Sequence, residues 1–385
     1  MKTVPERLKE VDENYKSTVN RRSFLKKAGL GAAATMAVVS YPGKPTHAQA
    51  KFRWRMATSF GITAPVLGTN LPLMAKDLKT MTKGRLDIKV FGAGELVPAF
   101  GVFDAAQQGA IQMMYSASYY WAGKVPATQF TCSVPFGMNA QQTNAWFYHG
   151  GGHKVWHEFY KKHGLIAFVA GNTGTQMGGW YRKEINSIKD YDGLKMRIPG
   201  LGGKVVAAVG GTVVLLPGPE VFPSLERGVI DACEWVGPYY DYNLGLHQAA
   251  TYYYSPGWHE PSTNNELTIN LKAWNSLPKE FQLMVEHAAY NLNVRNLAEF
   301  DAKNLEYLGK IERYAGGKIK FRQFPDDVLK KLYEAAEEIS EKVANSDSDA
   351  RKVYDSYKKF RDGVRKWHNI NEVSYQEALK TVGAI

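Results

Sequence analysis

Cysteine is almost missing from this 385-residue chain: Cys132 and Cys233 are the only two. Two cysteines rule out a disulfide-stapled scaffold, and no Cys-x-x-Cys spacing exists for a metal or a redox couple. The sequence leaves two readings of the pair open, a disulfide or two buried free thiols. Catalytic signatures are also missing. There is no Gly-x-Ser-x-Gly elbow and no Walker-type phosphate loop. Nothing assembles a nucleophile, a base and an orienting group. Collagen-like and disordered classes are excluded by a composition that is 44% hydrophobic and 22% charged. The length suggests two domains.

The formal net charge is +11, which invites a nucleic-acid reading until the charge is located. The first fifty residues hold nine basic and four acidic side chains, including Arg21-Arg22 followed by Phe24-Leu25 and Lys26. A Gly/Ala-rich run, Ala28–Tyr41, comes next, and the segment closes on Ala48-Gln49-Ala50. The run has 14 residues, short of the roughly 20 that span a bilayer. This segment, residues 1–50, resembles a Tat-type signal peptide with a small-x-small cleavage site. Beyond it remain 39 basic and 33 acidic residues, or +6, with no block of five or six basic residues. The nucleic-acid reading loses its support.

After residue 50 strands and helices alternate. Strands are expected at 52–58, 86–91, 111–117, 165–170, 176–182, 194–198, 212–216, 230–236 and 267–271. A long amphipathic helix is expected over 279–314, then a strand at 319–324 and two helices up to Lys380. This rhythm predicts α/β layers with mostly parallel pairing. Phe103–Ile111 and Pro223–Ile230 echo one another, each a short helix closed by glycine and entering a strand. That fits two similar lobes facing each other.

His153 and His157 stand at i, i+4, a spacing that presents two imidazoles to one metal, but the Glu of a metalloprotease helix is missing. A solvated helix face is the competing reading. Gly200–Gly203 opens a helix and offers amides to an anion, or is a plain turn. Three segments carry a coherent binding chemistry: the polar, Gly-rich stretch 171–180, Lys195-Met196-Arg197-Ile198-Pro199-Gly200, and Asp231-Ala232-Cys233-Glu234-Trp235-Val236-Gly237-Pro238. Arg197 and Glu234 each fall late in an apolar strand, at the carboxyl end where open α/β sheets bind ligands.

The motifs Lys195–Gly200, Leu215–Asp231 and Phe103–Gly109 are similar to those of the solute-binding subunits of TRAP (tripartite ATP-independent periplasmic) transporters, the DctP-like family. The resemblance spans residues 51–380. It implies a two-lobed, type II-like periplasmic binding protein fold without catalysis. Lobe one would be 51–173 plus 263–310 and lobe two 174–262 plus 311–347. A long helix would connect them, and a C-terminal helix over 348–385 could serve dimerisation. Tyr120–Ala127 and Glu234–Pro238 further resemble the branch that takes 2-oxo or 2-hydroxy monocarboxylates through a metal ion. That resemblance implies that Arg197 clamps the carboxylate. It implies that Gln176, Glu234 and the Trp235 carbonyl ligate Na⁺ or Ca²⁺. Tyr120, Asn172 and Asn265 would hydrogen-bond the ligand. Phe60, Trp235 and Trp258 would be cavity walls or core aromatics, and His259 and Glu260 would line the cleft or form a hinge. The partners would be the transporter's membrane subunits and a second copy of the chain. Two alternatives stay open: the same fold binding another organic acid without metal, or a Tat-exported enzyme.

Overall fold

The computed structural model describes residues 51–385, so the expected signal peptide lies outside the described residues. Among the described residues no helix is long and apolar enough to cross a membrane. Strands β1 (Phe52–Thr58), β2 (Leu86–Phe91), β3 (Met113–Ala117) and β4 (Leu165–Asn172) come first along the chain. Then follow β5 (Gly179–Tyr181), β6 (Lys195–Arg197), β7 (Thr212–Val214), β8 (Ala232–Cys233), β9 (Tyr252–Ser255), β10 (Asn264–Asn270) and β11 (Lys320–Gln323). They build two sheets, ordered β2-β1-β3-β10-β4 and β11-β9-β5-β8-β6-β7.

Pairing is mixed rather than mostly parallel. β10 runs antiparallel to β3 and β4, and β5 runs antiparallel to β8 and β9. The physical reason is the crossing: the chain leaves the first sheet at β4 and returns to it at β10. Each crossing inserts a strand against the direction that the βα units set. Between the sheets the two crossing segments are themselves paired. Thr173 N donates to Thr263 O (3.2 Å), Gln176 N to Glu260 O (3.2 Å), and Gly257 N to Gln176 O (3.0 Å).

β10 was only half visible in sequence because its side chains are largely polar: Asn264, Asn265, Glu266, Thr268 and Asn270 are all buried. Each of four has a hydrogen-bond partner inside the fold, for instance Asn264 Oδ1 accepting from Asn172 Nδ2 at 2.9 Å. β9 had been missed, since a run of three tyrosines before Ser255-Pro256 shows no alternation. The helix Lys279–Arg313 is, at 35 residues, about 52 Å long. It packs along β4 and against the helix Pro238–Asn243, so it touches both halves.

The two echoed corners are real. Gly109 and Gly228 close their helices at φ +77° and +72°, the left-handed region open to glycine. They feed β3 and β8, each inside its sheet. Cys132 and Cys233 are buried free thiols, which settles the pair against a disulfide. His153 and His157 sit half-buried on the helix Gly152–Lys162 and stack at 5.7 Å between ring centroids. Aromatic packing against Phe147, Tyr148 and Phe168 takes the place of both expected readings, metal ligation and a solvated face.

Candidate functional site

β6 and β8 lie side by side and both end at the gap between the two sheets. Arg197 is the last residue of β6 and is 1% exposed. Lys195, two residues earlier on the same strand, is exposed, because β6 begins at the surface and ends inside. The Arg197 guanidinium is held on several sides. Nη1 bonds both the Glu234 carboxylate and the Glu234 carbonyl (3.1 Å), and Nε donates to Leu216 O at 3.3 Å. Its plane lies over the Trp235 ring, 4.5 Å from the centroid. Nη2 has no hydrogen-bond partner among the described residues, which leaves one guanidinium edge for a ligand.

Glu234 is buried between Arg197 and His259, whose Nε2 stands 3.2 Å from Oε2. Burial pushes the Glu234 carboxyl up to about 7, and Arg197 pulls it back. Burial also brings His259 down to about 4, which favours the neutral imidazole, and its Nε2 is hydrogen-bonded to Glu234 Oε2. The turn after Glu234 is fixed by Asp241. One Asp241 oxygen accepts from Val236 N (3.1 Å) and Gly237 N (3.0 Å), the other from Trp180 Nε1 and Tyr253 Oη. Trp235 is therefore presented by a rigid loop.

Around these groups a small cavity opens between the sheets. Phe60, Leu67, Tyr119 and Tyr120 line it from the first sheet's side, and Arg197, Trp235 and Val236 from the second's. Thr173, Gln176 and Thr263 line it from the crossings, and Asn265 from β10. Of the residues expected at the site, Arg197, Gln176, Tyr120, Asn265, Glu234 and Trp235 come together. Asn172 does not reach the cavity wall; it joins Asn264 and accepts from Gly174 N at 2.8 Å. Phe60 and Trp235 are cavity walls, whereas Trp258 stacks on Phe136 in the core. Thr173, Thr263 and Tyr119 escaped the sequence reading, since single hydroxyls in loops carry no periodic signal.

Several polar atoms here are buried without a hydrogen bond: Gln176 Oε1, Asn265 Oδ1 and Trp235 Nε1. Buried polar groups are normally satisfied, so such a cluster marks a place where a ligand supplies the missing bonds. Glu234, Glu260 and one guanidinium, all buried, also leave negative charge in excess when both carboxyls are ionised. The donors are hard oxygens. The residues fit a Na⁺- or Ca²⁺-type cation.

A family model described as DctP, bacterial extracellular solute-binding protein, family 7, matches residues 63–347. The chain belongs to this family. The family is one of transport receptors and not of enzymes. The solute-binding protein is 43% identical over 363 residues to the monocarboxylate 2-oxoacid-binding periplasmic protein of Nostoc, covering 93% of this chain and 98% of the relative. A TRAP solute-binding protein from Pseudoalteromonas atlantica, solved with sodium and pyruvate, superposes with a TM-score of 0.82 at 40% identity. It spans 85% of this chain and 99% of its own. One from Bordetella bronchiseptica, a mixed-occupancy dimer with calcium and picolinate, gives 0.84 at 37% identity over 87% and 99%. The two-lobed α/β binding-protein fold is thus the fold of this chain.

Proposed function

We propose that the protein is the periplasmic receptor of a TRAP transporter for small 2-oxo or 2-hydroxy monocarboxylates, bound together with Na⁺ or Ca²⁺. Its lobes would be 51–173 plus 263–310 and 174–262 plus 311–347. The observation that carries the reading is the unpartnered Gln176 Oε1 on the wall that also holds Arg197, the partner of Glu234. Relatives with about 40% identity bind pyruvate with sodium or calcium.

Arg197 receives the ligand carboxylate on its open edge, where a charge-assisted pair is strong and directional. Gln176 Oε1, the Glu234 carboxylate and the Trp235 carbonyl hold the cation. Bound there, it supplies positive charge to the ligand's carboxylate and its 2-oxo or 2-hydroxy oxygen. Acids lacking that second oxygen lose one contact, which gives the discrimination. Asn265 and Tyr120 offer hydrogen bonds, and Phe60 and Trp235 exclude water. The closed, loaded form then docks on the membrane subunits. Export would follow the Tat-type signal, and two chains would pair through the C-terminal segment.

A thermal-shift titration with pyruvate tests this. At 100 times its Kd the ligand should add about 2.7 kcal/mol of stability. That gain should vanish after chelation in Na⁺-free buffer. Arg197→Lys, which keeps the charge but loses the planar fork, should weaken pyruvate at least about tenfold, or roughly 1.4 kcal/mol. A shift that survives cation removal refutes the metal reading, and one that survives Arg197→Lys unchanged refutes the clamp.

A further inference from the structure

Gln176 is useful to a cation only if its amide oxygen, and not its nitrogen, faces the cavity. An amide is symmetric enough in shape to sit either way, so its neighbours must choose. Three atoms surround the Nε2 end: Glu260 Oε2 at 2.8 Å, Thr263 Oγ1 at 3.0 Å and Thr173 Oγ1 at 3.1 Å. The Thr173 hydroxyl spends its proton on Gly174 O and already accepts from Thr263 N, so it meets Gln176 as an acceptor. The Thr263 hydroxyl bonds Glu260 Oε2. The two amide hydrogens are shared among these acceptors, and Glu260 Oε2 is the nearest at 2.8 Å. A flipped Gln176 would set its carbonyl oxygen against the Glu260 carboxyl. The backbones are locked as well, since Gln176 N donates to Glu260 O across the paired crossing segments. Glu260 does not line the cavity; it meets Gln176 at the Nε2 end, with its ligand atom within 4.8 Å of those of Glu234 and His259.

We propose that Glu260 is the positioning residue of the cation site: as acceptor for Gln176 Nε2 it turns Oε1 toward the cavity. This rests on the cation reading above. Partners that orient a metal ligand typically account for about 10- to 100-fold in metal affinity.

The test is calorimetric titration of pyruvate into the full mature chain at graded Na⁺ or Ca²⁺, with unfolding of each ligand-free variant as a control. Glu260→Met, similar in length but without an acceptor, should raise the half-saturating cation concentration about 10- to 100-fold. Glu260→Gln, which still offers an oxygen to Nε2, should recover most of the wild-type cation affinity. Glu260→Asp keeps the charge while drawing the oxygen back, so it should lose cation affinity at least about tenfold. It remains informative if the methionine variant does not fold. Wild-type cation affinity in Glu260→Asp or Glu260→Met overturns the proposal. So does a Glu260→Gln variant as damaged as Glu260→Met, because charge would then be the requirement. If wild-type pyruvate binding ignores the cation, the cation reading falls first and this proposal with it.

Discussion

Glu266 lies at the middle of β10, fully buried, and makes no salt bridge among the described residues. Tyr160 donates to both its oxygens (2.8 and 3.0 Å) and Thr268 donates to Oε1. Burial pushes its carboxyl up to about 8, from 4.5 in the unfolded chain. The folded state therefore holds an extra proton between those two values. Its stabilising effect is complete below pH 4.5 and is lost as pH rises toward 8. Glu266→Gln, a permanently neutral isostere, should flatten that slope and make the protein more stable than wild type at pH 8. Urea unfolding at pH 5, 6.5 and 8 measures both, and an unchanged slope would mean Glu266 is ionised in the fold. Residues of this kind mark the limit of sequence reading. Arg197 and Glu234 were legible because a charge inside an apolar strand needs a reason. Glu266 sits in a polar stretch where a carboxyl is unremarkable until the fold buries it.

Among the elements, the C-terminal helix Ser348–His368 shows how an amphipathic pattern divides its duties. Its apolar stripe, Ala350, Val353, Tyr354 and Tyr357, is buried in one cluster with Phe130, Trp146 and Phe159. Tyr357 Oη accepts from Met138 N at 2.8 Å, and Trp146 Nε1 donates to Ser356 Oγ. This part is core, so cutting the chain near Ser348 would open the fold. The continuation, Asn369–Val373 and Ser374–Thr381, exposes Ile370, Val373, Tyr375, Val382 and Ile385. A run of exposed apolar side chains at a terminus is costly in isolation and suits a second copy. Ending the chain after His368 should convert a dimer to a monomer in light scattering, with pyruvate affinity unchanged. A full-length monomer, or a truncated dimer, removes this segment as the contact. Helices and regular strands such as β1 and β2 could be placed from periodicity alone. The direction of β5 and β10 could not, because it depends on which sheet the chain visits next.

For the whole molecule the decisive feature is that the cavity wall belongs to both sheets. The helix Gly200–Ala208, which follows β6, packs on the first half. Leu201 is buried with Phe103 and Trp121, and a Cβ on Gly200 would lie 3.1 Å from the Tyr119 ring. If the lobes open around the paired crossing segments, Leu201 is exposed without ligand and buried with it. Its burial then belongs to binding and not to the ligand-free fold. Leu201→Ala should therefore weaken pyruvate-with-cation binding by about thirtyfold or more, since Leu→Ala in a packed site costs about 2–5 kcal/mol. The melting temperature of the ligand-free protein should hardly move. Solution scattering should show wild type contracting when pyruvate and cation are added together, and the variant contracting only at higher ligand concentration. A Leu201→Ala protein that loses stability without ligand, yet binds as wild type does, would place Leu201 in a permanent core and the closing motion elsewhere.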